Sequence, residues 1–153
     1  IGMSTTMLKA SGPTAVIAIN TLAAFTTDVG GTAAIDFYVP GSAAAFDLAS
    51  ASATDNILVL SDAISAVDEH AAVDALEASG AYAASASATS LAGDGFLTLW
   101  SDGQDSYLSM IEFTSAIIAD TVLSTLTASD LFVFKGVTDA DDFTTTNFPD
   151  LVA

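Results

Sequence analysis

Gly95-Phe-Leu-Thr-Leu-Trp-Ser-Asp-Gly-Gln-Asp-Ser-Tyr-Leu-Ser-Met-Ile-Glu-Phe113 decides the reading of this chain. Two apolar, aromatic-rich runs, Phe96 to Trp100 and Tyr107 to Phe113, flank Ser101-Asp102-Gly103-Gln104. Asp-Gly between alternating apolar runs is a strong local signal for a β-hairpin, because such turns need residues that tolerate positive φ. The segment therefore predicts two antiparallel strands. Trp100, Tyr107, Phe96 and Phe113 are expected as core residues and cross-strand pairs.

Outward from the hairpin, Asn56 to Leu60 is a compact apolar run that predicts a buried strand. Thr121 to Leu126 and Leu131 to Phe134 predict two further strands. Thr32 to Val39 predicts another, with Ile35, Phe37 and Val39 on one side and Pro40-Gly41 ending it. Ser42 to Thr54 is low in complexity, with Phe46 and Leu48 as its large apolar anchors. Thr14 to Phe25 reads as a buried strand or a short helix. Asn20 and Thr21 interrupt it, and it falls short of the roughly 20 residues that span a bilayer.

One helix is expected, over Ser65 to Ser79. Ser65 and Asp68 resemble a capping box, and Asp68 and Glu69 favour the positive end of the helix dipole. Ile64, Val67, Ala71, Ala72, Ala75 and Leu76 share a face, and Gly80 supplies the stop. The whole reads as a mainly β domain, β-sandwich-like with one amphipathic helix, α+β being the alternative. Residues 1–13, with Met3 and Met7, are expected as an N-terminal tail or an exchanged strand, and residues 14–153 as a single β-rich domain.

The charge is lopsided. Nineteen acidic residues face two lysines, Lys9 and Lys135, for a net charge of −17 on 153 residues that are 52% hydrophobic. Binding nucleic acid or an anionic membrane surface needs clustered Lys or Arg, so neither is expected as a partner. Charged residues make up only 14% of the chain, against roughly 25% in ordinary domains, which also separates it from charge-rich disordered chains. All the acids but Glu69, Glu77 and Glu112 are Asp, the residue of turns and oxygen-rich cation sites. The absence of cysteine removes disulfides, thiol catalysis and cysteine-bound zinc.

Calcium wants six to eight oxygens, which tight Asp-bearing turns supply. Asp94 in Gly93-Asp94-Gly95, Asp102 and Asp105 at the hairpin tip, and the crowded Asp139, Asp141 and Asp142 are the candidate ligands. Asp in such places also makes good turns without any metal. His70, the single histidine, is expected to face solvent. A serine hydrolase would need it, but no Gly-x-Ser-x-Gly occurs, nor does an Asp-Thr-Gly or Asp-Ser-Gly of the aspartic proteases. A non-enzymatic role is expected.

From Asp55 onward the order of segments resembles that of bacterial repeats-in-toxin-type proteins exported by type I secretion. The matching pieces are Asp55 to Asp62 (DNILVLSD), Ala66 to Gly80 (AVDEHAAVDALEASG), the hairpin itself and Ser129 to Phe143 (SDLFVFKGVTDADDF). The ending Asp150-Leu151-Val152-Ala153 is similar to the extreme C-terminus of several type I substrates. The glycine-rich nonapeptide calcium repeat of that family is absent, so calcium held in a β-roll is not implied. What the resemblance implies is an extracellular or cell-surface, calcium-tolerant, non-enzymatic protein.

Composition and resemblance together suggest a secreted, self-assembling subunit of an extracellular filament, surface layer or matrix. Copies of itself would be its partners, and Ca2+ would stabilise it. A secreted calcium-dependent adhesin or binding module of a larger protein is the alternative.

Overall fold

The hairpin forms where the alternation places it. In the computed structural model β8 (Asp94–Ser101) and β9 (Asp105–Phe113) pair antiparallel, from Gly95 opposite Glu112 to Ser101 opposite Ser106. The structure describes residues 35–52, 54–65, 70–86 and 89–148, together with the backbone of 3–4, 15–16, 32–33 and 151–152.

The elements run β1 (Met3–Ser4), β2 (Ala15–Val16), β3 (Thr32–Ala33), β4 (Phe37–Tyr38), β5 (Phe46–Asp47) and β6 (Ile57–Val59). There follow α1 (Ala71–Leu76), β7 (Ala84–Ser85), the β8–β9 hairpin, β10 (Leu126–Lys135) and β11 (Leu151–Val152). The chain is mainly β. A six-stranded mixed sheet has the order β10-β9-β8-β6-β4, with β2 also paired to β8; β1-β11-β3 and β5-β7 are small separate sheets.

Every residue of β8 is buried, because apolar side chains point both ways along it. Phe96 and Trp100 join Leu58, Leu60, Ile111 and Phe113 on one face, beneath α1, Leu48, Tyr82 and Ala84. Leu97 and Leu99 join Ile57, Val59, Leu108 and Met110 on the other, where Phe148 closes the core. Phe148 sits 6.0 Å from Phe37, 6.1 Å from Phe134 and 5.8 Å from Phe143, ring centre to ring centre. Burying each such side chain contributes about 1.5–3 kcal/mol, so a sheet covered on both sides is favoured over one exposed face. Trp100 stacks on Tyr107 at 4.4 Å and Phe96 meets Phe113 at 5.9 Å, the core and cross-strand pairs expected of them.

Three expectations change in detail. The helix ends at Leu76, short of Ser79, and residues 66–69 of its expected start, including the Asp68 of the capping box, lie outside the described residues. Glu77 leaves the helix in an extended conformation, and Ser79 adopts φ +74°. The chain folds back over the helix end so that the Tyr82 N–H donates to the Ala75 carbonyl at 2.8 Å. Tyr82 is then fully buried, its hydroxyl accepting the Asp62 N–H at 2.6 Å. A continuing helix would prevent that return. All of α1 except Asp74 is buried, so the element is not two-faced but nearly enclosed.

The strand expected at Thr121 to Leu126 does not form and gives only its last residue to β10. The strand expected at Leu131 to Phe134 is part of that longer strand, which starts at Leu126 and is bulged between Asp130 and Phe132. Its polar Thr127, Ser129 and Asp130 face solvent from a sheet edge, which hides the strand from an apolar pattern. Residues 121–123 bond instead to β7 and its neighbour: Leu123 N–H donates to the Ala84 carbonyl and Ala86 N–H to the Thr121 carbonyl, both at 2.7 Å.

Thr32 to Val39 is likewise two short strands in different sheets. Between them the Asp36 carbonyl accepts from Asn56 and Ile57 at 3.0 and 3.2 Å, while Asp36 N–H donates to the Asn56 side chain at 3.1 Å. Ile35 is buried but Val39 is 46% exposed, so the three residues do not share one buried face. Of Thr14 to Phe25 only Ala15–Val16 is described, as a parallel partner of Asp94 and Gly95. Within residues 1–13, Met3–Ser4 pairs parallel with Leu151–Val152 of the same chain, and the rest lies outside the described residues.

Candidate functional site

The hairpin tip is built by its own acids. Asp102 Oδ1 accepts the N–H groups of Gln104 and Asp105 at 2.7 and 2.8 Å, an Asx turn that holds the loop. Gly103 sits at φ +86°, a conformation an L side chain resists, and Asp102 N–H donates to the Asp105 carbonyl at 3.1 Å. The other oxygen, Asp102 Oδ2, accepts the Tyr107 hydroxyl at 2.8 Å. The backbone N–H of Asp105, aided by Gln104 and Tyr107, holds the Asp102 carboxyl below its ordinary value. The same bond pushes the Tyr107 hydroxyl up to about 12, since losing its proton would set two anions side by side.

Asp105 faces across the sheet. Its Oδ2 lies 2.6 Å from Lys135 Nζ and its Oδ1 accepts the Gly136 N–H at 2.8 Å. Lys135 stands directly opposite Asp105 in the β9–β10 ladder, so register alone brings the pair together. The ammonium lowers the Asp105 carboxyl, and Asp105 in turn raises Lys135.

Among the described residues the remaining candidate ligands make no hydrogen bond to this tip, although Ser101 and Ser106 donate to the Thr138 and Val137 carbonyls at 2.7 and 2.8 Å, just before Asp139. Asp94 is buried where β8 begins, its Oδ2 accepting the Ser90 hydroxyl at 3.0 Å and the Leu91 N–H at 3.1 Å. Asp139 caps a short 3-10 turn, its Oδ1 accepting the Asp141 N–H at 2.9 Å. Partial desolvation raises the Asp141 carboxyl, and repulsion from Asp139, Asp62 and Asp142 adds to it. The structure thus gathers Asp139, Asp141 and Asp142 as their spacing suggests and adds Asp62 from the loop after β6. It does not bring Asp94, Asp102 or Asp105 to them as one site. Among the described residues no three Asp, Glu, His or Cys side chains are placed to hold a metal ion.

Four interactions escape a reading of the sequence. Lys135 reaches Asp105, Tyr107 reaches Asp102, and Trp100 Nε1 donates to Ser109 Oγ at 2.8 Å while Ser109 donates to Asp130 at 2.5 Å. Three of them join strands of the β8–β9–β10 ladder, and the fourth, Tyr107 with Asp102, joins β9 to the hairpin turn. Pairing β9 with β10 in register would have found two of them. His70 is exposed, as its place beside Glu69 suggests.

No protein-family model matches the chain, and no curated protein or solved structure matches it either. Among the described residues no helix is long and apolar enough to cross a membrane.

Proposed function

We propose that this protein is a secreted, self-assembling structural subunit of an extracellular filament, surface layer or matrix. One observation carries the reading: nineteen acids against two lysines on a chain that is 52% hydrophobic. Lys135 is bonded to Asp105, and two lysines cannot neutralise nineteen acids, so most of the negative charge falls to external cations. A body of charge −17 keeps its copies apart at low ionic strength and lets them meet once cations screen it. Small Ala, Ser and Thr side chains then allow close approach between copies, and the low density of charged groups limits the desolvation that contact requires.

Calcium serves here between copies and over the surface rather than in a preformed cage. The repulsion that Asp139, Asp62 and Asp142 exert on Asp141 supports that role, since a divalent ion nearby would relieve it. The order of segments shared with repeats-in-toxin-type proteins supports an extracellular setting. The same acidic crowding is what favours the second reading, a calcium-dependent adhesin module.

Negative-stain microscopy and light scattering with added calcium, then with chelator, test the proposal. Fibres or sheets with calcium, and smaller particles after chelation, are the expected result. Dispersed monomers under both conditions would overturn it. Monomers that bind a surface carbohydrate only with calcium would favour the adhesin.

A further inference from the structure

β10 is an edge of the main sheet and its longest strand, at ten residues. Among the described residues no strand pairs with its outer side. A long edge of this kind presents unpaired N–H and C=O groups that can template a further strand. One end is closed, for Glu77 Oε1 accepts the Leu126 N–H at 3.0 Å. Past that point Ser129, Asp130, Val133 and Lys135 are exposed.

The bulge decides what this edge displays. Leu131 is the extra residue, so Asp130 stands opposite Ser109, Val133 opposite Tyr107 and Lys135 opposite Asp105. These three positions of β9 alternate along one face, so Asp130, Val133 and Lys135 share that face too. In an unbulged strand, five residues of separation would set the acid and the base on opposite faces. Lys135 is 77% exposed although bonded to Asp105, and an ammonium has three donors to share.

We propose that the outer edge of β10 pairs antiparallel, about a two-fold axis, with the same edge of a second copy. With the axis through Val133 and Leu131 left as the bulged residue, Val133 meets its own counterpart. Phe132 then lies opposite Phe134 of the second copy, and Asp130 opposite Lys135 of the second copy. The edge is complementary to itself in shape and in charge, as a two-fold contact must be. This supplies two opposite-charge pairs across the new ladder of a molecule whose net charge is otherwise repulsive. The inference rests on the self-assembly reading and names the strand through which assembly begins.

Sedimentation velocity over a range of concentrations tests it with D130K, K135D and an equimolar mixture of the two. Either variant alone sets like charges opposite each other twice, so association should weaken by about tenfold. In the mixed dimer of the two variants each substituted residue faces its opposite, so association should return towards the wild-type level. That recovery also guards against misfolding, since a misfolded variant would not be rescued by its complement. Variants that associate like the wild type, or a mixture no better than either component, overturn the β10 contact. If the wild type assembles in those cases, the self-assembly reading survives without it; a wild type that stays monomeric at every concentration removes both.

Discussion

Thr98 is fully buried in the centre of β8, and its hydroxyl is the one buried side-chain polar atom without a hydrogen-bond partner among the described residues. Its cross-strand neighbour Ser109 already accepts from Trp100 and donates to Asp130. An unpaired buried hydroxyl costs free energy that a methyl group of the same shape does not. T98V should therefore raise stability by about 1 kcal/mol in urea unfolding; a fall would mean that the hydroxyl has an unrecognised partner. Tyr107 offers a second residue-scale test. Its hydroxyl is pushed up to about 12 by Asp102, so, alongside Tyr38, which desolvation also raises, Tyr107 should titrate late by tyrosinate absorbance. D102N removes the charge while leaving an oxygen for the turn, and should bring that titration back towards 10.0. Neither feature is visible along the chain, because each depends on how the strands of the hairpin align and pack.

At the scale of elements, the close approach of Gly80 to the end of α1 is the feature most sensitive to change. A Cβ there would lie 2.2 Å from the Asp74 carbonyl oxygen and 2.3 Å from that of Ala75, both backbone atoms with little room to yield. G80A should cost about 2 kcal/mol or more, and should speed hydrogen exchange at the Tyr82 amide that bonds to Ala75. Unchanged exchange would show that the turn can relax. Gly80 is legible in the sequence as a helix stop, but its reason is not: the glycine admits a returning chain rather than a left-handed cap. The same contrast separates β6 from β10. Ile57–Val59 is apolar throughout and reads as a buried strand on sight. β10 mixes Thr, Ser and Asp with Leu and Phe, since an edge strand has solvent on one side and a bulge that resets its alternation.

For the whole molecule, charge predicts an uneven response to acid. Asp141 and Asp55 have folded values above 3.8, chiefly through desolvation, so protonating them favours the fold. Their contribution is fully present below 3.8 and fades as pH rises through the raised values. Asp102 and Asp105 run the other way: their contribution is present above 3.8 and is lost as pH falls through their lowered values. Stability should thus increase as pH drops from neutral towards 3.8, helped by relief of the general negative charge, and decline below it. Urea midpoints measured across that range in dilute protein check this. A steady fall from pH 7 downward would show that the paired carboxylates of the hairpin tip outweigh the repelling ones.

The sequence by itself determined where the hairpin turns, that Asn56 to Leu60 is buried, that Phe46 and Leu48 anchor a featureless stretch, and that the chain's charge is overwhelmingly negative. Each of these follows from local alternation, turn chemistry or composition, which need no knowledge of distant neighbours. Only the tertiary structure decided that both faces of the sheet are covered, that β10 is a single bulged edge, and that Asp102 and Asp105 serve Tyr107 and Lys135. Those outcomes depend on strand order and register. Contacts between residues 30 apart in the chain, such as Asp105 with Lys135, form only when the ladder between β9 and β10 has chosen its alignment.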